Sequence, residues 1–115
     1  MADAKFPAGT RIVQNQALTN GRGDSSLRLQ EDGNFVLYQE DKPTWQAENV
    51  YPNGREALFA YDGNLVVFDE DQNVAWESGT GSEDNRGSIL ALQDDHNLVI
   101  YNRDGQPIWA TGTNT

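Results

Sequence analysis

Gln30-Glu31-Asp32-Gly33-Asn34-Phe35-Val36-Leu37-Tyr38 decides the fold, because its odd positions read Gln-x-Asp-x-Asn-x-Val-x-Tyr and the pattern returns twice downstream. Gln93, Asp95, Asn97, Val99 and Tyr101 repeat it in full, whereas Ala60, Asp62, Asn64, Val66 and Phe68 keep the frame and lose both ends. As one extended strand the motif would set Gln30 and Tyr38 about 26 Å apart at about 3.3 Å per residue, too far for one small ligand. The chain must therefore turn inside it. Asp32-Gly33-Asn34 carries turn chemistry, since Gly and Asn tolerate positive φ and Asp bonds the backbone ahead of it. A three-residue loop there pairs Glu31 with Phe35 and Gln30 with Val36. Directly opposed residues share a face, so Leu27, Leu29, Phe35 and Leu37 line one side and Arg28, Gln30, Val36 and Tyr38 the other. Leu90, Leu92, Leu98 and Ile100 repeat the apolar face in the third copy. The outer face gathers an amide, a carboxylate, a second amide, a methyl patch and a phenol, an inventory that suits a polyol.

Around this hairpin the chain reads as strand and turn throughout, with no helical stripe of useful length. Arg11 to Gln14 is a first or closing strand. Asp41-Lys42-Pro43 is a turn before Trp45, and Tyr51-Pro52-Asn53-Gly54 marks the next boundary. Ala57 to Phe59, Leu65 to Phe68 and Val74 to Trp76 repeat the order; Gly79 to Gly87 links to Ile89 to Gln93, Leu98 to Tyr101 and Ile108-Trp109. The period of about 30 to 33 residues on the Asp and Trp markers makes one domain, residues 1–115, of three repeats at about 11–48, 49–80 and 81–115. Units of this size cannot hide their own apolar faces and must close on a shared core. Trp45, Trp76 and Trp109 would then fall at equivalent, substantially buried places. A β-trefoil shares the threefold logic, but its units are longer.

The composition narrows the partners. A formal net charge of -10, from 18 acidic against 8 basic residues, disfavours nucleic acid and anionic lipid and leaves neutral ligands. With no cysteine, the fold needs no disulfide. No basic leader followed by an apolar stretch is visible after Met1, and no segment reaches the length of a membrane span. The expected location is cytoplasmic, or outside the cell by release without a visible signal peptide, with secretion still open. Arg22-Gly23-Asp24 matches the tripeptide of integrin ligands, and a glycine-rich acidic loop produces it by chance.

The three copies, their spacing and the trailing tryptophans resemble the bulb-type (monocot) mannose-binding lectin family, over about Arg11 to Thr115. The resemblance implies an all-β β-prism II, three four-stranded antiparallel sheets about a pseudo-threefold axis. It implies recognition of α-mannose or mannose-containing glycans without metal, cofactor or catalysis. Carried over, Asp and Asn would hold the axial O2, Gln the O3 and Tyr the O4, with Val against the C3–C4 face. One site is then Gln30, Asp32, Asn34, Val36 and Tyr38, and another is Gln93, Asp95, Asn97, Val99 and Tyr101. Asp62, Asn64 and Val66 form a degenerate third. Trp109 to Thr115 resembles the strand that members exchange between partners, implying a homodimer.

Other classes fare worse on the residues. A glycosidase needs two facing carboxylates about 5–10 Å apart, and each motif offers one, since alternation turns Glu31 and Asp94 away. A calcium loop would need a twelve-residue segment ending in Glu between helices. His96, the single histidine, reads as a plain loop residue, so neither a His-based triad nor a zinc site can be assembled. A toxin-like module that targets cell-surface glycans uses the same binding chemistry and stays open.

Overall fold

Alternating apolar residues, interrupted by turn formers every few positions, yield twelve short strands among the described residues. The computed structural model describes residues 3–115. The strands are β1 (Ala4–Pro7), β2 (Arg11–Val13), β3 (Gln16–Thr19), β4 (Ser25–Leu29), β5 (Phe35–Gln39), β6 (Lys42–Gln46), β7 (Glu56–Phe59), β8 (Leu65–Phe68), β9 (Val74–Glu77), β10 (Ile89–Leu92), β11 (Leu98–Tyr101) and β12 (Pro107–Ala110). They form three antiparallel four-stranded sheets, β3-β4-β5-β6, β2-β7-β8-β9 and β1-β10-β11-β12, referred to as sheets I, II and III. This is the β-prism II arrangement.

The three amino-terminal strands go to three different sheets. β3 edges sheet I, β2 edges sheet II and β1 edges sheet III. The sequence showed only the strand at Arg11. β1 and β3 escaped because they are short edges whose apolar contribution to the core is Phe6 and Leu18. Lys42 and Pro43 belong to β6, and the reversal lies at Glu40, with φ 56°, and Asp41. Pro43 is tolerated there because β6 is an edge strand with no further neighbour to receive an N–H. The Gly79 to Gly87 linker contains the helical turn of the described residues, three residues of 3-10 helix at Glu83–Asn85, capped by Ser82 Oγ.

The hairpin register differs from the sequence reading by one loop position. Leu29 lies opposite Phe35 and Arg28 opposite Val36. Gln30 N donates to Asn34 O at 2.9 Å and Gly33 N to Gln30 O at 2.9 Å, so the three-residue loop is Glu31-Asp32-Gly33. Gly33, at φ 87°, takes the left-handed position that closes such loops. The correction shifts every partner by two residues, and with a strand period of two the faces are unchanged.

Leu27, Leu29, Phe35, Leu37, Leu90, Leu92, Leu98 and Ile100 are all fully buried in one core shared by the three sheets. The tryptophans are equivalent, as the repeat required, but only partly buried. Their rings form a triangle, with centroids 5.4 Å apart for Trp45–Trp76, 5.7 Å for Trp45–Trp109 and 5.7 Å for Trp76–Trp109, all edge to face. Phe35 backs the triangle, 6.2 Å from Trp45.

Truncating Leu37 to Ala should cost about 2–5 kcal/mol, whereas Val74→Ala, at an exposed position of the same strand-rich shell, should stay within about 0.5 kcal/mol. Urea denaturation of the two variants checks this, and comparable losses would show that the core is not where the stability resides.

Candidate functional site

Each motif begins as a turn. In all three copies the Asp carboxylate uses Oδ1 to accept from the Asn amide two residues on: Asp32 from Asn34 at 3.0 Å, Asp62 from Asn64 at 3.1 Å and Asp95 from Asn97 at 3.0 Å. One carboxylate oxygen thus holds the turn, and Asp32 and Asp95 are exposed.

In the third unit the outer side chains join into one chain of hydrogen bonds. Tyr101 Oη donates to Gln93 Oε1 at 2.6 Å, and Gln93 Nε2 donates to Asp95 Oδ1 at 3.1 Å. The first unit repeats the phenol-to-amide bond, Tyr38 Oη to Gln30 Oε1 at 3.2 Å. Val36, Val66 and Val99 lie on the outer face yet are only 2%, 7% and 3% exposed, so each is the floor beneath its polar groups. Arg28 and Gln46 flank Val36 on the neighbouring strands, and Ala91 and Ala110 flank Val99.

The middle unit lacks more than the Gln and the Tyr. Gly81 passes close to the carboxylate, so that a Cβ there would come within 2.7 Å of Asp62 Oδ2, although Asp62 itself stays exposed. Asn64 is held by the protein at both ends of its amide: Oδ1 accepts from Ser78 Oγ, Gly79 N and Thr80 N, and Nδ2 donates to Glu77 Oε1 at 2.7 Å. That is why Asp62 and Asn64 persist without their partners. Asn97 makes the same clamp on Thr111 Oγ1, Gly112 N and Thr113 N.

Two residues that hold the motif asparagines were missed in the sequence. Gln46 accepts from Asn34 Nδ2 at 3.0 Å, the role Glu77 plays for Asn64. Both directly follow a tryptophan, a position that in the third unit is Ala110 and offers no such acceptor. Position relative to Trp was the available signal. Glu31 also departs from expectation: it lies in the loop, where strand alternation does not apply, and lines a concave surface of about 390 Å³ together with Arg28, Gln30 and Tyr38. Asp32, Asn34 and Val36 do not line that surface.

His96 is no plain loop residue. It occupies the left-handed turn position, φ 76°, that Gly33 and Gly63 fill in the other units. A Cβ on Gly33 would fall 2.0 Å from Pro52 O, and one on Gly63 2.8 Å from Asn85 Cβ, so only the third turn has room for a side chain. His96 Nδ1 lies 2.8 Å from Thr115 Oγ1 and Nε2 lies 3.2 Å from Asp24 Oδ2. Asn20, nearly fully buried, donates from Nδ2 to Asp24 Oδ1 at 2.7 Å and reaches Gln93 O at 3.3 Å. Asp24 of the Arg-Gly-Asp tripeptide is therefore a buttress of the third turn. Among the described residues no group of three or more His, Cys, Asp or Glu side chains converges as a metal site would require.

Comparison with known proteins bears on this geometry. A mannose-specific lectin of Aloe arborescens is 41% identical over 84 residues, covering 71% of this chain and 74% of the relative. Monomeric monocot mannose-binding lectins from Gastrodia elata share the fold at TM-score 0.82 and 30% identity, over 96% of this chain and 98% of theirs. The snowdrop (Galanthus nivalis) mannose-specific agglutinin, solved with methyl α-D-mannoside, gives TM-score 0.76 and 35% identity over 98% and 99%. A domain-swapped lectin dimer from Mycobacterium smegmatis gives 0.53 and 36% over 91% and 95%. No protein-family model matches the chain. Three four-stranded sheets with the repeated polar motif, and this level of identity, place the chain in the bulb-type mannose-binding lectin family.

Hydrogen bonds from Asn20 and His96, outweighing the opposing effect of burial, hold the Asp24 carboxyl below its ordinary value, with the charges of His96 and Arg22 adding to this. A lowered folded-state pKa contributes stability above the unfolded carboxylate value of about 4 and loses it as pH falls through the folded value. Asp24→Asn should therefore lower the melting temperature at pH 7, and the gap to wild type should shrink below about pH 4. Thermal unfolding at pH 7 and pH 3 checks it; a gap that widens in acid would contradict the assignment.

Proposed function

We propose that this chain is a lectin that binds α-mannose and mannose-containing glycans without metal or catalysis, through two sites. One is built on Gln30, Asp32, Asn34, Val36 and Tyr38, the other on Gln93, Asp95, Asn97, Val99 and Tyr101. The observation that carries the reading is the Tyr101–Gln93–Asp95 hydrogen-bond chain, whose phenol-to-amide half recurs in the first unit. These groups already bond one another, so they are held in place before a sugar arrives and lose little freedom on binding it. Each offers a second lone pair or proton to a hydroxyl. A carboxylate accepting from the axial hydroxyl makes a charge-assisted bond, and an epimer without that hydroxyl leaves the carboxylate unsatisfied.

The middle unit is proposed to be silent, supported by Ala60, Phe68 and the close approach of Gly81 to Asp62. A shallow site of four or five hydrogen bonds is weak alone, on the order of millimolar. Useful avidity then comes from several sites acting together. The double variants Gln30→Ala/Tyr38→Phe and Gln93→Ala/Tyr101→Phe install residue types that the middle unit already folds with. Titration calorimetry with methyl α-mannoside should give about two sites in wild type and about one in each variant, unchanged by EDTA. A wild-type stoichiometry of three, a loss of sites in Asp62→Asn alone, or abolition by EDTA would reject the scheme.

Assembly supplies further sites. We propose a homodimer in which β12 is exchanged; β12 is an edge strand, and the swapped Mycobacterium smegmatis dimer supports the reading. Within a single chain β12 closes on its own β11, so exchange would replace one set of pairings by an equivalent one. Light scattering should find two chains per particle, and a single chain would dismiss it.

A further inference from the structure

The pseudo-threefold symmetry provides an internal comparison of the grooves beside the aromatic end of each motif. In sheet II the residue opposite Phe68 is Glu56, and it neutralises Arg11 of the adjoining edge strand at 2.8 Å. Two residues after Phe68, Glu70 lies 3.8 Å from Arg55. In sheet III both acids are replaced. Ile89 stands opposite Tyr101 where Glu56 stood, and Arg103 follows Tyr101 where Glu70 followed Phe68. Lys5, on the edge strand opposite Ala91, takes the place of Arg11. Among the described residues Lys5 and Arg103, like Arg28 and Lys42, have no carboxylate within ion-pairing distance, whereas Arg11, Arg22, Arg55 and Arg86 each have one.

These substitutions meet in one concavity of about 500 Å³, lined by Lys5, Ile89, Ala91, Tyr101 and Arg103. Ile89 is 39% exposed there, while Ala91 is buried beneath. Gly87, at φ 84°, lies beside the Arg103 stem on the same wall. Asp3 is the one acid on the wall, and its Oδ1 accepts from the Asp94 amide. The corresponding surface beside Tyr38 is different in sign: Arg28 shares it with Glu31, Glu40 and Asp41. In a chain of net charge -10, an apolar floor rimmed by two unpaired cations is a local reversal of the field.

We propose that this groove is a subsite of the third-unit site for an anionic sugar, one bearing a carboxylate or a phosphate monoester, linked to the mannose. Its ring would lie on Ile89 and the Tyr101 edge, and its anion would meet Lys5 and Arg103. The inference rests on the mannose reading above, and it makes the two complete sites unequal: the third accepts an acidic neighbour and the first disfavours one.

The test uses the full chain with the first site disabled by Gln30→Ala/Tyr38→Phe. Four probes are titrated: methyl α-mannoside, and the same mannoside extended by glucose, by glucuronate or by glucose 6-phosphate. At low salt a carboxylate or phosphate probe should bind about three- to tenfold more tightly than the glucose-extended one, as expected for exposed ion pairs. The preference should fade toward 1 M salt. Lys5→Ala/Arg103→Ala should abolish it while leaving methyl α-mannoside binding unchanged. A preference for one anion only identifies which chemistry is read. Equal binding of all three extended probes, or a preference that survives the double substitution, overturns the subsite alone. Failure of methyl α-mannoside to bind overturns the mannose reading and the subsite with it.

Discussion

The edge-to-face triangle of Trp45, Trp76 and Trp109 is the contact on which the three sheets depend. Each sheet is apolar on one face, and four short strands cannot bury that face alone. Bringing one large aromatic from each sheet to the axis ties the sheets together at a common point. The ring geometry is the one favoured by the aromatic quadrupole, adding about 0.5–1.5 kcal/mol per pair beyond the area buried. Because the triangle needs all three members, the middle unit must keep its hairpin even where it has given up its polar side chains. The persistence of Asp62 and Asn64 follows from the same requirement, since the first closes the turn and the second clamps Ser78 to Thr80.

Fold and site therefore share residues. The Asp spends one oxygen on its turn, and Asn97 spends its carbonyl on the carboxy-terminal segment that ends at Thr115. What remains for a ligand is the surplus capacity of side chains already fixed by structural bonds. This makes the site rigid, and it makes the presence of Asp and Asn alone a poor marker of a working one. The motif groups without a turn-forming duty are Gln30, Tyr38, Gln93 and Tyr101.

The pseudo-symmetry is broken most where the units meet. Gly33 and Gly63 are held by close backbone approach from the following loop, and no side chain fits. His96 instead reaches across to Asp24 and Thr115, so the third turn is fixed by polar side chains from the loop before β4 and from the segment after β12. A single substitution pattern, Ile89 and Arg103 for Glu56 and Glu70, changes the sign of the neighbouring groove without touching the five motif positions.

How much was legible in advance differs by level. The sequence alone determined the strand faces, the threefold repeat, the equivalence of the tryptophans and the polar set of each motif, because a period of two and a period of about thirty residues are both written in one dimension. Even the one-residue error in the loop did no harm, as parity survived it. Only the tertiary structure decided which sheet receives β1, β2 and β3, since short edge strands carry too little apolar pattern to choose a partner. It alone decided that Gln46 and Glu77 reach the motif asparagines, that Glu31 lines the concavity beside Gln30 and Tyr38, and that His96 is a tie. Those contacts join residues on different strands or different units, and the distances between them are set by how the sheets close.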